Sequence, residues 1–212
     1  MKKTDLKKFW SELEDQWKIA FVQGVFCRQI DWSLMEYNLK TQELSNFVPT
    51  DEDLIKLSEI TILKLKGKGG GDLNFNLSNM SGLIQLGTIN ENLEELYIDY
   101  NNIQSFEGFE KHQKLKKMVI SDNLISEIPN IEHATGLENL SISNNYLKST
   151  KGIENSKNLE YLHLSQNKNL ENLSGIENLR QLKQLFLLDC PKISILELEK
   201  IKKKLTDCQI FN

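Results

Sequence analysis

The sequence predicts an α/β solenoid, in which short tandem units each contribute one strand to a parallel sheet and helical segments close both ends. Two observations lead to this prediction. A leucine-rich pattern begins again every 22 or 23 residues through the second half of the chain, and amphipathic helical spacing occurs before and after it. In addition, one amide residue type recurs at the same position of four successive units.

The repeat consists of five segments that share apolar residues at their first, fourth and sixth positions. Their starts are 22, 22, 22 and 23 residues apart. Because successive side chains of a strand point to opposite sides, the fourth and sixth residues face one way and the third and fifth face the other. Tandem strands of one direction form a parallel sheet. The starts are Leu93, Leu115, Leu137, Leu159 and Leu182.

Asparagine occupies the ninth position of four units, where the chain must turn out of the strand. An amide at this point can bond backbone groups that the bend leaves open, so we expect a ladder of these side chains along the stack. The second half of each unit has apolar residues three apart, which is typical of a 3₁₀ helix or tight turn on the outer side. The ladder residues are Asn101, Asn123, Asn145 and Asn167.

The pattern Leu-x-x-Leu-x-Leu-x-x-Asn-x-Ile/Leu resembles the leucine-rich-repeat family, and in particular the short 22-residue class of phosphatase-1 regulators and internalin-like bacterial proteins. The match runs from Leu93 to about Ile193, with Thr150 in place of an apolar residue and one inserted residue between Lys168 and Leu170. The resemblance implies a right-handed curved array with its parallel sheet on the concave face. It also implies protein binding through that face and no catalytic residues.

The end segments fit caps, which a repeat array needs because its terminal units would otherwise expose apolar surface. One amphipathic helix is predicted from Leu6 to Phe21, and another begins after Thr50 as N-cap. Near the C-terminus, apolar residues at 195, 198, 201 and 205 predict a helix, and 208–211 reads as a closing strand. The predicted domains are a mainly helical N-terminal cap at 1–59, repeats at 60–193 (irregular over 60–92, regular from 93) and a helix-strand cap at 194–212.

The irregular stretch begins with a predicted strand at 60–65 and then loses the repeat spacing. Residues 72–77 alternate like an extra strand after a glycine cluster around Lys68. No Gly-Lys-Ser/Thr ending closes that cluster, so it does not predict a phosphate-binding loop.

Composition excludes several classes of function. A net charge of −4 gives no broad basic field for nucleic acid. No apolar run is long enough to predict a membrane span or a secretory signal, so we expect a cytoplasmic protein. Cys27, Cys190 and Cys208 are widely spaced, which fits small apolar residues in a reducing compartment rather than a metal site. We expect no cofactor and no metal.

Candidate catalytic groups are sparse, so the sequence does not predict an enzyme. His112 and His133 fall in the outer halves of units, where we expect a solvated surface. His163 falls on a strand beside Ser141 and Phe186 of neighbouring strands. A serine–histidine pair without an orienting acid, an oxyanion site or a pocket does not predict catalysis.

Outward strand positions give the stronger functional signal, because six apolar or aromatic residues there have no core role: Tyr97, Tyr100, Val119, Tyr161, Phe186 and Leu188. Aromatics bordered by acids are typical of a protein interface. An alternative is that Phe186 and Leu188 pack under the C-terminal cap. The predicted protein-binding concave face comprises Glu95, Tyr97, Asp99, Tyr100, Lys117, Val119, Asp122, Tyr161, His163, Phe186 and Leu188.

The sequence therefore predicts a non-catalytic scaffold that binds a partner protein on its concave sheet face. One alternative is a regulatory or inhibitory subunit of an enzyme, and another is a self-assembly module that uses the N-terminal cap. Acids at Glu94, Glu95, Asp99 and Asp122 favour a basic protein partner. We expect no nucleic-acid or membrane partner, and a monomer rather than a homo-oligomer.

Overall fold

One open sheet of seven parallel strands, paired in chain order, organises the molecule. The computed structural model describes residues 3–26, 46–67, 77–105, 112–128, 131 and 135–212. The predicted α/β solenoid with a parallel sheet is confirmed. The strands are β1 Ile62–Lys64, β2 Glu95–Tyr97, β3 Lys117–Val119, β4 Asn139–Ser141, β5 Tyr161–His163, β6 Gln184–Phe186 and β7 Gln209–Phe211.

Strand pairing keeps equivalent repeat positions opposite each other. For example, Leu96 pairs with Met118, and Met118 pairs with Leu140. The middle residues of β1 to β6 are at most 1% exposed, so they form the core side of the sheet. Burying one such side chain stabilises the fold by about 1.5–3 kcal/mol. The first and last residues of β2 to β6, at positions three and five of the repeat unit, are half-buried, as the predicted alternation requires.

The ninth-position amides bond the backbone of two successive units. The Asn145 Nδ2 donates to the carbonyl oxygens of Ile120 at 3.1 Å, Ile142 at 3.3 Å and Ser143 at 3.0 Å. Its Oδ1 accepts from the Ile125 amide at 2.9 Å. Asn101, Asn123 and Asn167 also bond carbonyl oxygens in their own and the preceding unit.

Cys190 occupies the ninth position of the fifth unit, where the sequence pattern has no asparagine. Its Sγ is 3.3 Å from the Leu164 carbonyl oxygen, which also accepts from Asn167. Burial raises the pKa of the Cys190 thiol. The Cys190 thiol therefore occupies, in the fifth unit, the inward position that an asparagine side chain occupies in the four preceding units.

The outer halves of the regular units contain turns rather than long helices. Among their described residues, the one regular helix is the 3₁₀ turn Ile176–Asn178, which follows Gly175 at φ 90°. Thr150, the departure from the apolar pattern, is fully buried and its Oγ1 donates to the Ser174 carbonyl oxygen at 2.8 Å. This bond satisfies the hydroxyl within the core.

The N-terminal segment differs from the single amphipathic helix that its spacing predicts. It forms α1 at Lys3–Glu12 and α2 at Asp15–Phe21, followed by a π-helical turn at Val22–Phe26. Glu14 has an extended ψ of 148° and ends the first helix register. The break allows apolar residues of both helices to reach one core, since Phe9 and Phe21 are each at most 2% exposed.

Helix α3, at Asp51–Glu59, begins as predicted with Thr50 as N-cap. The Thr50 hydroxyl accepts from the Asp53 amide at 3.1 Å, and the Asp53 carboxylate accepts from the Thr50 amide at 2.9 Å. This reciprocal pair satisfies two backbone donors at the helix start.

A short helix that the sequence analysis does not predict, α4 at Ser81–Leu86, lies between β1 and β2 in the chain. A Cβ at Gly82 would come 2.0 Å from the Trp17 ring, so glycine permits this close approach. His112 is 2% exposed, with its Nε2 3.1 Å from the Leu83 carbonyl oxygen. The expectation of a solvated His112 is therefore wrong, because α4 provides a buried carbonyl partner.

The C-terminal helix α5 spans Ile195–Lys204 and precedes β7, as the sequence predicts. Ile201 and Leu205 are buried, but Ile195 is 76% exposed. Its predicted place on the buried side of the helix is wrong, because the helix begins at Ile195 with Ser194 as N-cap and packs through its later turns.

Several expectations fall on residues that the structure does not describe. These concern Cys27, His133, most of the predicted extra strand at 72–77 and the glycine cluster around Lys68. In the described part of the chain, no helix combines the length and apolarity needed to cross a membrane.

Candidate functional site

The first and last residues of each three-residue strand, at positions three and five of the repeat unit, form one continuous surface, which we call the open sheet face. Adjacent strands lie about 4.8 Å apart, so the six gaps give a face about 29 Å wide. The third-position residues are Ile62, Glu95, Lys117, Asn139, Tyr161, Gln184 and Gln209, and the fifth-position residues are Lys64, Tyr97, Val119, Ser141, His163, Phe186 and Phe211.

At one end of this face is a lysine–tyrosine cluster of Lys64, Glu95, Tyr97 and Lys117. The Nζ atoms of Lys64 and Lys117, on the strands either side of Tyr97, are 5.1 and 5.2 Å from the centroid of its ring. The Tyr97 hydroxyl donates to the Glu95 carboxylate at 2.6 Å. The Tyr97 hydroxyl also raises the pKa of Lys117, against a smaller opposing effect of burial. The cluster is therefore an ordered array of charge around one ring.

Beside the middle of the face, the hydroxyl groups of three serines are linked by hydrogen bonds, with Ser141 on the face and Ser121 and Ser143 at the seventh position of their units. Ser143 Oγ donates to Ser121 Oγ at 2.9 Å, and Ser121 Oγ is 2.9 Å from Ser141 Oγ. Ser141 Oγ is 3.4 Å from His163 Nδ1. A depression of about 330 Å³ lies over this region, lined on the open side by Lys117, Val119, Asn139, Ser141, Tyr161 and His163.

The Ser141–His163 pair is the arrangement on this face closest to a catalytic one. Among the described residues, no carboxylate hydrogen-bonds the His163 ring, and no group of three or more His, Cys, Asp or Glu side chains could hold a metal ion. Without an acid to orient the imidazole, the pair lacks a triad's third member. Its geometry therefore fits a hydrogen bond that fixes two side chains.

Burial lowers the pKa of His163 below its ordinary value of 6.5. We expect the ring to be neutral at pH 7 and to protonate only below pH 6.5, so the unfolded chain binds this proton more readily. Stability should then fall as the pH drops below 6.5. An NMR titration of the His163 ring protons measures this directly, with the His163→Gln variant to assign the signal. A pKa at or above 6.5 would contradict the burial argument.

An aromatic row occupies the other end of the face and consists of Tyr161, His163, Phe186 and Phe211. The Phe186 ring centroid lies 5.1 Å from that of Tyr161 and 5.3 Å from that of His163. Phe186 and Phe211 stack at 4.4 Å with an interplanar angle of 9°. Phe211 was not among the predicted site residues, although its fifth position in the closing strand could have indicated it.

The alternative that Phe186 and Leu188 pack under the C-terminal cap is supported for Phe186 but not for Leu188. Phe186 stacks on Phe211 of that cap, while Leu188 is 49% exposed. Leu188 therefore remains available at the edge of the face.

The eighth-position residues lie in turns beside the sheet. Five of them have left-handed backbone, with φ between 49° and 64°. Asp122 accepts a hydrogen bond from Asn144 at 2.6 Å, and Tyr100 is 37% exposed. These side chains border the open sheet face. The five residues are Tyr100, Asp122, Asn144, Gln166 and Asp189.

The predicted acidic centre is largely paired within the molecule. The Asp99 carboxylate is 3.1 Å from Lys66 Nζ, and Asp99 is only 4% exposed. Glu94 is 3.6 Å from Lys116 Nζ. Asp99 therefore lies beneath the surface, and direct contact with a partner does not fit its position. Two of the four predicted acids therefore already have cations, while Glu95 and Asp122 accept hydrogen bonds from the neutral Tyr97 and Asn144. A basic partner stays a prediction.

No protein-family model matches the sequence, and no curated protein matches it. Solved structures do resemble the fold. An internalin from Listeria monocytogenes aligns over 65% of this chain and 38% of its own, with 20% identity and a TM-score of 0.54. A leucine-rich-repeat protein from Leptospira interrogans aligns over 67% of this chain and 41% of its own, with 27% identity and a TM-score of 0.50. The matched part therefore spans well under half the length of either protein.

Proposed function

We propose that this chain, which has the leucine-rich-repeat fold, is a non-catalytic scaffold that binds a partner protein on its open sheet face. The main supporting observation is the aromatic row of Tyr161, His163, Phe186 and Phe211, which is half-buried on a surface that the core does not use. Apolar rings on a rigid sheet lose water on binding without first losing much conformational freedom.

The size of the face limits how much of an interface it can form alone. It is about 29 Å wide and, with three-residue strands, about 10 Å long, so the bordering turns must contribute to reach the roughly 800 Å² that each partner buries in an interface of standard size. Polar groups surround the rings, including Gln184 and Asn139 on the face and Asp189 at its border. This arrangement of aromatic centre and polar rim is the usual anatomy of protein interfaces.

The proposal includes the short 22-residue repeat class and the division into caps and repeats at 1–59, 60–193 and 194–212. It also includes a cytoplasmic setting, to which the free thiols of Cys190 and Cys208 lend support. If the partner protein is an enzyme, the chain would act as its regulatory or inhibitory subunit.

Site-specific photo-crosslinking tests this proposal. A benzophenone amino acid at Gln184, on β6 within the face, is expected to capture one partner from an extract of the source cells. The same probe at Asn155, exposed in the outer half of a repeat, provides the control. Capture from position 155 but not from position 184 would refute the assignment of the binding face.

A further inference from the structure

We infer that the partner binds as an extended segment, with an acidic side chain at the lysine–tyrosine cluster and an aromatic or large aliphatic side chain on the aromatic row, about six residues apart. This inference rests on the proposed function, since it assumes that the open sheet face is the binding surface. It gives that surface a partner of stated chemistry.

The acidic position follows from two cations that share one nearby carboxylate and form no direct ion pair with any described residue. In the described part of the chain, Lys66, Lys116 and Lys183 each form an ion pair with an acid. Lys64 and Lys117 form none among the same residues, and both are half-buried. Two ammonium groups held close together on a binding surface favour a partner of opposite charge.

Glu95 reduces the positive charge of the cluster without removing it. Its carboxylate accepts a hydrogen bond from the Tyr97 hydroxyl, so one negative charge lies near the two ammonium groups. The sum over Lys64, Glu95 and Lys117 is therefore one positive charge, while the nearby Lys66 and Asp99 form a neutral pair. A carboxylate from a partner would complete the neutralisation. A basic side chain would be repelled there.

The apolar position follows from the geometry of the aromatic row. Phe186 has Tyr161 and His163 on one neighbouring strand and Phe211 on the other. Leu188, further along the same chain segment, is 49% exposed. A ring or branched aliphatic side chain placed on Phe186 would contact several apolar groups at once, which is how interface hot spots are built.

The low middle of the face supports a segment that spans both positions. Val119 and Ser141 are smaller than the residues at either end, and the depression of about 330 Å³ lies above them. Asn139 and the serine hydroxyls provide donors and acceptors for an extended backbone. The surface therefore has a low polar centre between a cationic end and an aromatic end.

Strand geometry sets the spacing. Tyr97 is on β2 and Phe186 is on β6, four strand intervals away. At about 4.8 Å per interval, the distance across the sheet is about 19 Å. An extended chain rises about 3.3 Å per residue, so about six residue steps cover that distance.

Synthetic peptides test the inference. Fluorescein-labelled peptides would have one Asp and one Phe separated by five Ser or Gly residues, in both chain orders. Controls replace Asp by Asn, replace Phe by Ser, or shorten the spacer to one residue. We expect the five-residue spacer in one order to bind about three- to five-fold more tightly than the Asn control, because the ion pair is partly exposed to solvent, and about ten-fold more tightly than the other controls, measured by fluorescence anisotropy.

Charge variants of the protein identify the acid's position. The double variant Lys64→Gln, Lys117→Gln is expected to bind the Asp and Asn peptides equally, while Lys157→Gln, exposed in the outer half of a repeat, retains the preference for Asp. Circular dichroism and thermal melting establish that both variants are folded. Retention of the Asp preference by the double variant would overturn the inference.

The peptide results can be separated from the fate of the proposed function. Equal binding of the Asp and Asn peptides, equal binding at the short spacer, or no binding at about 1 mM would each overturn the inference. If crosslinking from position 184 still captures a partner, only the partner's chemistry is mistaken. If that crosslinking also fails, the proposed function fails as well.

Discussion

Replacing Asn145 by Ala is expected to lower the free energy of unfolding by about 3 kcal/mol, because it removes four hydrogen bonds, each of which contributes about 0.5–1.5 kcal/mol, and leaves one buried amide without a partner. The amide of Asn145 bonds three carbonyl oxygens and one backbone amide. Alanine would leave the Ile125 amide without its partner in a buried place, since Asn145 is 6% exposed. The three carbonyl oxygens would each lose one of two hydrogen bonds and keep those from Asn123, Asn167 and the Asp122 amide. Urea denaturation followed by circular dichroism measures the change.

Asn155→Ala is the matched control for this prediction. Asn155 lies in the outer half of the same repeat and is exposed, so its loss should change the free energy of unfolding by less than about 0.5 kcal/mol. A loss of under 1 kcal/mol for Asn145→Ala would show that the amide ladder contributes little. The stability of each repeat depends mainly on the repeats next to it. A broad or two-step unfolding transition in the variant would therefore show that only the repeats adjacent to Asn145 are destabilised.

The repeat fold was predictable because it depends on local spacing. Leu96 and Leu140 recur at equivalent positions, and the pleat of a strand alone places both on the core side. The start of α3 was equally predictable, because the capping interactions of Thr50 and Asp53 involve residues only three apart. Local patterns therefore identified the strands and this helix start.

Features that depend on distant contacts were not predictable. The break between α1 and α2 places Trp17 against Gly82, and nothing near Trp17 in the sequence indicates that contact. The burial of His112 likewise depends on the Leu83 carbonyl oxygen of α4. The sequence pattern could describe each segment separately, but it did not contain the packing between them.

For the candidate site, the sequence indicates which side chains face outward but not how they pair. Tyr97 and Phe186 could be assigned to the face by position alone. The ion pair of Lys66 with Asp99 could not, because it joins segments more than thirty residues apart. Because of this pairing, Asp99 does not offer a free carboxylate to a partner, which its position in the repeat alone did not show.

Removing three rings from the open sheet face is expected to abolish partner binding. The triple variant Tyr97→Ala, Tyr161→Ala, Phe186→Ala deletes the ring of the lysine–tyrosine cluster and two members of the aromatic row. Truncating one interface hot spot costs about 2 kcal/mol or more, which is about 30-fold in affinity, so the loss of three rings should lower the affinity by about 100-fold or more. The main chain of the sheet would remain, since the core-side residues are unchanged.

A control variant removes exposed apolar side chains that lie off this face. Ile84→Ala, Tyr146→Ala, Ile195→Ala truncates residues that are 42%, 54% and 76% exposed. It matches the triple variant in the number of large side chains lost. Both variants must show the circular dichroism spectrum and cooperative melting of the wild type before binding is compared.

The most direct test of the proposed function is affinity capture from an extract of the source cells with the wild type, the open-face triple variant and the off-face control. We expect one protein to be captured by the wild type and the control and to be lost from the triple variant. Equal capture by all three folded proteins, or loss only from the off-face control, would contradict binding through the open sheet face.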